Sequence, residues 1–366
     1  MESLGSQPTI PGLPVGALRD DGSADPAHAA SLSDELAVAL YEQMVLAREL
    51  DESVIALQRD GKVTQHASAI GEEASIVGAV AAMGDEDWVF PASREMAAAL
   101  WRGMPLLAYA HHAFGTARDA AGGRSAPDPP FWRLARVPSV SPLAGTQISH
   151  AVGVAWAARM RKHDVASLVF FGEGATSTGD FHAGLNFAGV TRAPVIALCR
   201  NNGWATSTPA SRQTASAGFA VKAVAYGLRG VCVDGEDVVA VLSVTRRARA
   251  TALAGGGGTL IEAVTVPPRE GDSAEVWSKR DPIARMRRYL ETRALWSAER
   301  EQRLRLEVRT DVHRALAEAE AEGPPAPQTM FDGVYAHQPW HLREQCAGLR
   351  VESASAGVAQ RPQDGQ

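Results

Sequence analysis

The chain has 366 residues, 45% of them hydrophobic, which is ample for a packed core in one large α/β domain or two small ones. Its formal net charge of −6 argues against nucleic acid as a bulk electrostatic partner. Three cysteines, Cys199, Cys232 and Cys346, form neither a CxxC nor a metal-ligand spacing, so a disulfide framework is not expected.

Residues 1–33 carry four prolines and little apolar periodicity, and read as an extended or disordered arm. The amino terminus has no charged region followed by an apolar core, and no uncharged apolar run reaches the roughly 18 residues of a membrane span. No signal peptide and no membrane partner are expected, and the placement expected is cytoplasmic. Ser33 and Asp34 are positioned to cap a helix whose apolar stripe runs through Leu36, Leu40, Met44 and Leu50. His111 and His112 fall on a helix and resemble a metal pair only in being adjacent; an exposed helix surface is the expected setting. The proline-rich stretch 122–142 reads as loop, and 151–160 (AVGVAWAARM) as a helix with small residues on one side for close packing.

The most informative segment follows. Leu168–Phe171 is an apolar run ending in glycine, as in a buried parallel strand; residues 178–190 read as a helix, and 194–199 (PVIALC) as a second buried strand. A β-α-β unit of this kind delivers both strand ends to the same sheet edge. Glu173, at the first strand end, and Asn202, at the second, can therefore meet around one ion, offering hard oxygen ligands suited to Mg²⁺. Gly174 lets backbone approach a phosphate, and Arg200 can pair with it. Alternating strands and helices from 166 to 266 give the expected fold class, α/β, with a doubly wound parallel sheet and flanking helices. Gly255–Gly258 reads as a turn and not as a phosphate cradle, because no lysine follows in P-loop spacing. Arg285, Arg287 and Arg288 read as a solvated helix face. The helical part beyond 283 stops at Gly323-Pro324-Pro325. The organisation expected is an arm (1–33), an α/β domain (34–282), a helical extension of the same domain (283–346) and a frayed tail (347–366).

The block opened by Gly172-Glu173-Gly174 and closed by Asn201-Asn202 resembles the thiamine diphosphate motif. With GEEASIVGAVAAMGDEDWVFPASREM (71–96), SPLAGTQISHAVGVAWAARM (141–160), LIEAVT (260–265) and DPIARMRRYL (281–290), the chain resembles the α subunit of the 2-oxoacid dehydrogenase decarboxylating component over 35–346. That resemblance implies a thiamine-diphosphate-binding fold and decarboxylation of a 2-oxoacid with transfer of the acyl group. It implies Mg²⁺ held by Glu173, Asn202 and the main-chain carbonyl of Trp204. It also implies cofactor contacts from Arg94, Leu143, Gly172, Gly174, Ala175 and Arg200. No catalytic residue is assigned. A β subunit is the implied partner, in an α2β2 heterotetramer, with a lipoyl domain or an acyl carrier protein as acceptor.

Two departures from the family pattern stand out. Ser93 replaces the tyrosine of a Tyr-Arg pair. The loop after LIEAVT is short and reads VPPREGDSAEV (266–276), without the family's histidine, and none occurs in 122–140 either. Imidazole is the side chain best suited to proton transfer near neutral pH. Its absence puts lipoyl acylation in doubt and leaves transfer to a carrier thiol, carboligation, or a non-catalytic regulatory subunit as alternatives. Arg269, Asp272 and Ser273 are candidates to fill the space.

Overall fold

The computed structural model describes residues 14–30, 32–268 and 273–359. Its centre is a five-stranded parallel sheet in the order β1-β2-β3-β7-β6. The strands are β1 (Trp88–Phe90), β2 (Ser167–Gly172), β3 (Val195–Asn201), β6 (Arg229–Asp234) and β7 (Thr259–Val264). A two-stranded antiparallel hairpin, β4 (Trp204–Ala205) and β5 (Thr208–Pro209), follows β3. The central strands are apolar on both faces because both faces are covered.

Twelve helices are described: α1 (Pro26–Ala29), α2 (Asp34–Arg59), α3 (Glu73–Ala81), α4 (Met96–Trp101), α5 (Leu106–Phe114), α6 (Thr146–Met160), α7 (Gly179–Thr191), α8 (Val238–Thr251), α9 (Ala274–Arg280), α10 (Pro282–Thr292), α11 (Ala298–Glu322) and α12 (Trp340–Ala359). Leu168, Phe170, Ile196 and Leu198 point to one face, where α2, α3, α8 and α10 pack. Val169, Phe171, Val195 and Ala197 point to the other, against α6 and α7. This period-two division of consecutive apolar residues makes the sheet doubly wound. Of the small residues of α6, Ala151 and Ala155 are buried in the cluster shared with Leu185 and Ala188 of α7, whereas Gly153 is exposed with open space around it. The closest approach of the two helices is at Gly184 of α7, where a Cβ would lie 2.9 Å from the Ile148 side chain. A third apolar cluster joins the end of α2 to α5 and α11, which fastens the carboxy-terminal helices to the sheet domain. Ser33 caps α2, its hydroxyl accepting from Leu36 N at 3.2 Å.

Several expectations change. Residues 14–30 are not a free arm: Val15 forms a parallel bridge to Val233, and Ala17 and Leu18 are buried because Asp237 accepts their backbone N–H groups at 2.7 and 2.6 Å. Residues 1–13 and 31 lie outside the described residues. The expected tail does not begin at 347, since α12 continues to Ala359; residues 360–366 lie outside the described residues. His111 and His112 are buried, not on an exposed surface. Helix α5 is sandwiched in the third cluster, and the histidines are satisfied by Thr116 Oγ1 (2.8 Å) and Asp119 Oδ1 (3.0 Å). Nor is the arginine cluster of α10 uniformly solvated: Arg285 turns inward to Asp234 (2.8 Å) and Asp237 (3.5 Å). Of the shortened loop, Ser273 is the N-cap of α9, accepting from Val276 N, while Arg269 and Asp272 lie outside the described residues.

Candidate active site

Parallel pairing of β2 with β3 places Gly172 beside Arg200. The next residues, Glu173 and the Asn201-Asn202 pair, therefore emerge together at the carboxyl edge, where open α/β sheets bind ligands. The two asparagines then take different roles. Asn201 faces the protein: its Nδ2 donates to Glu262 Oε1 (2.7 Å) and its Oδ1 accepts from Gly203 N (3.0 Å). Asn202 faces the cleft, its Oδ1 accepting from Trp204 N at 3.0 Å. Gly203, at φ 84°, makes the reversal that returns the chain as the β4-β5 hairpin. Gly174 lies beneath that hairpin; a Cβ there would come within 2.6 Å of the Ala205 Cβ.

The result is a cleft of about 260 Å³. Arg94, Leu143, Gly172, Glu173, Gly174, Ala175, Arg200, Asn202 and Trp204 all line it, together with Ser93, Pro129 and Gln147. Leu143 stands at the rim and is 69% exposed; its carbonyl accepts from Thr146 Oγ1 at 2.9 Å. His182 is exposed on α7, bonded to the Tyr226 hydroxyl, and does not line the cleft.

Glu173 is buried, and its Oε1 has no hydrogen-bond partner. Burial pushes its carboxyl up from the usual carboxylate range, with the charge of nearby Glu72 adding to the rise. A lone desolvated carboxylate oxygen facing a cleft costs folding free energy that a cation would recover. Arg200 is buried between two carboxylates. Its Nη1 donates to Glu72 and its Nη2 pairs with Glu95, while its Nε is unpartnered. Burial alone would make the guanidinium easier to deprotonate; Glu95 and Glu72 reverse that and hold it charged. Glu72 Oε1 also accepts from Arg94 Nη1 (3.0 Å) and Asn202 Nδ2 (3.2 Å), and Glu95 Oε2 accepts from Ala92 N (2.6 Å) and Arg94 N (3.1 Å).

Glu72 and Glu95 were not singled out from the sequence as site residues. A signal existed: an arginine inside an apolar strand requires buried counter-anions, and acids flank the cleft segments in GEEA and SREM. Their partnership with Arg200 spans more than a hundred residues, however, and only the fold reveals it.

The donor set of the cleft is tested against a hard divalent cation by its chemistry. Glu173 and Asn202 supply side-chain oxygens and the hairpin supplies carbonyls, a number that leaves room for phosphate oxygens in an octahedron. Among the described residues no group of three or more His, Cys, Asp or Glu side chains could hold a metal. The residues present fit a metal shared with a phosphorylated ligand.

Residues 41–328 match the family model described as dehydrogenase E1 component. The chain belongs to that family. Its chemistry is the thiamine diphosphate- and Mg²⁺-dependent decarboxylation of a 2-oxoacid with hand-off of the acyl group. Among its relatives is the 2-oxoisovalerate dehydrogenase subunit alpha 2 of Arabidopsis thaliana, 39% identical over 327 residues, covering 86% of this chain and 69% of the relative. The bovine 2-oxoisovalerate dehydrogenase subunit alpha is 35% identical over 355 residues, covering 93% and 78%. The pyruvate dehydrogenase E1 component subunit alpha of Staphylococcus aureus is 35% identical over 329 residues, covering 86% of each chain. The cytoplasmic placement expected from the sequence is corrected here, because the plant and bovine relatives are mitochondrial proteins. Among the described residues no helix is long and apolar enough to cross a membrane.

Proposed function

We propose that this chain supplies the diphosphate-and-metal half of a thiamine diphosphate site completed by a β subunit, as an α2β2 heterotetramer. The observation that carries the reading is the buried, partnerless Glu173 oxygen at the β2 end, beside Asn202 and under the hairpin. Glu173, the Asn202 amide oxygen and the Trp204 carbonyl would hold Mg²⁺. Arg94 and Arg200 would pair with phosphate oxygens, while Gly172, Gly174 and Ala175 would let the backbone approach them. Leu143, at the rim, would face the cofactor's ring end. Bound there, thiamine diphosphate supplies the electron sink for loss of carbon dioxide from the 2-oxoacid.

What the chain's own residues do is hold and orient. Arg200 is fixed by two carboxylates, so it offers its charge at a set position without reorganisation. The described titratable side chains lining the cleft are Glu72, Arg94, Glu173 and Arg200, none of them a histidine, lysine or tyrosine. The absence of such a group among the described lining residues supports a proton donor from another subunit at the reacting end. Exposure of Leu143 (69%) and Trp204 (49%) at the cleft mouth supports a covering partner; all of the named relatives are themselves alpha subunits.

For the acyl acceptor, the short His-less loop supports a second reading, in which the group passes to a carrier-protein thiol or to a carboligation partner and not to a lipoyl domain. Ser273 caps α9, accepting from Val276 N, and a serine hydroxyl lacks the near-neutral titration that suits imidazole to proton transfer. The test is titration of thiamine diphosphate into the assembled complex, with Mg²⁺ and with chelator, for wild type and Glu173→Ala. Metal-dependent binding lost in the variant is expected; no binding by an assembled wild-type complex would leave a regulatory subunit.

A further inference from the structure

The cleft that this reading assigns to a diphosphate is not cationic. Around it stand three carboxylates, Glu72, Glu95 and Glu173, and two guanidiniums, Arg94 and Arg200. Anion sites ordinarily present an excess of donors and positive charge. Here carboxylates already engage both arginines: Glu72 takes Arg94 Nη1 and Arg200 Nη1 and Glu95 takes Arg200 Nη2, leaving Arg200 Nε unpartnered. Glu72, 1% exposed at the start of α3, accepts from Arg94, Arg200 and Asn202 together, bridging the three cleft-facing donors through its two oxygens. Its position is fixed by backbone: Glu72 N donates to Ala69 O at 2.8 Å, and its side chain makes no capping bond to its own helix. The carboxylate is thus spent on the two arginines that would otherwise receive a phosphate and on the amide of the asparagine assigned to the metal.

We propose that Glu72 is a resident anion that makes capture of the diphosphate conditional on the divalent cation. A diphosphate arriving alone meets donors already neutralised and a cleft with one carboxylate in excess. A diphosphate arriving with Mg²⁺ brings the charge that offsets Glu72 and Glu173, so the arginines can turn part of their donors to phosphate. The same contact keeps Arg94 and Arg200 aimed at the cleft beforehand, so nothing collapses onto them. This inference rests on the cofactor reading above, and its test separates the two.

Thiamine diphosphate is titrated into the assembled wild-type and Glu72→Gln complexes, by calorimetry or fluorescence, once with Mg²⁺ and once with chelator. The quantity read is the ratio of Kd without metal to Kd with it. Removing one charge at this range is expected to lower that ratio by about tenfold or more, chiefly through tighter metal-free binding. An unchanged ratio, or equal weakening in both conditions, overturns the proposal and makes Glu72 a structural counter-ion only. Should Glu72→Gln fail to assemble, Glu72→Asp keeps the charge but withdraws it from the arginines; the ratio is expected to fall several-fold, and a constant ratio again overturns the idea. Failure of the wild-type complex to bind even with Mg²⁺ overturns the cofactor reading, and this proposal with it.

Discussion

Two buried carboxylates stand just past the carboxyl ends of parallel strands in this molecule, and they are treated in opposite ways. Asp237, after β6, is completely buried. It accepts the backbone N–H groups of Ala17 and Leu18 through Oδ2 and of Val239 and Ala240 through Oδ1, with Arg285 at 3.5 Å. Glu173, after β2, is almost as buried and leaves an oxygen without any partner. The first is a completed network that ties the amino-terminal segment and α8 together. The second is an unfinished one whose completion has to come from outside the chain. Burial does not distinguish a structural acid from a ligand-binding one; the state of its lone pairs does.

That contrast can be broken by experiment. The largest effect is expected at Asp237: Asp237→Ala strands four buried backbone donors and removes the more distant of Arg285's two carboxylate partners, and should cost about 3–5 kcal/mol in denaturant unfolding. An effect under about 1 kcal/mol would mean the network is dispensable. Glu173→Ala should behave inversely. Thermal stability stays near wild type, since a buried group with an unpaired oxygen is removed, while metal-dependent cofactor affinity falls on the order of a hundredfold. A clear loss of stability at Glu173 would erase the distinction drawn here.

Asp128 lies between the extremes. It accepts one backbone N–H, from Ala67 at 2.7 Å, and its Oδ2 is 3.7 Å from His66 Nδ1, whose Nε2 is bonded to Asp51 at 2.7 Å. Burial raises its carboxyl to about 6, against a lowering influence from His66 and with Glu95 adding to the rise. The folded state therefore binds this proton more tightly than the unfolded state. The stability it lends is complete below about pH 4 and is lost as pH rises through about 6. Asp128→Asn should remove on the order of 2 kcal/mol of that decline, read as melting temperature from pH 4 to 7; an unaltered slope would assign the decline elsewhere. The smallest effect belongs to an ordinary cap: Ser33→Ala should destabilise by about 1 kcal/mol, with no change in cofactor binding.

How much of this was legible in the sequence follows the range of the interactions. The strands at 168–171 and 194–199 could be read because a continuous apolar run between turns is a local signal. Their pairing put Glu173 and Asn202 at one edge by topology alone, and both line the same cleft. What could not be read were partnerships between distant segments. Glu72 with Arg200 and Arg285 with Asp234 each set polar residues against burial and escape any periodicity argument, and the burial of His112 and Asp119, though these are only seven residues apart, comes from packing of α5 against distant helices. The segment 14–30 misled for the same reason, since its polar, proline-containing composition is held in place by acceptors more than two hundred residues away.

That segment also alters how the sheet meets its surroundings. β6 is the terminal strand, with main-chain groups on its outer side that could recruit another strand. Val15 donates to Cys232 O and accepts from Asp234 N, both at 2.9 Å, which closes that side at one point. At the opposite border, β1 has only three residues, and Val89 donates to Arg136 O at 3.1 Å. Both borders of the sheet are thus fenced by irregular chain, so removing the residues around Val15 would leave β6 open as a template for edge-to-edge self-association, a hazard unrelated to the chemistry of the cleft.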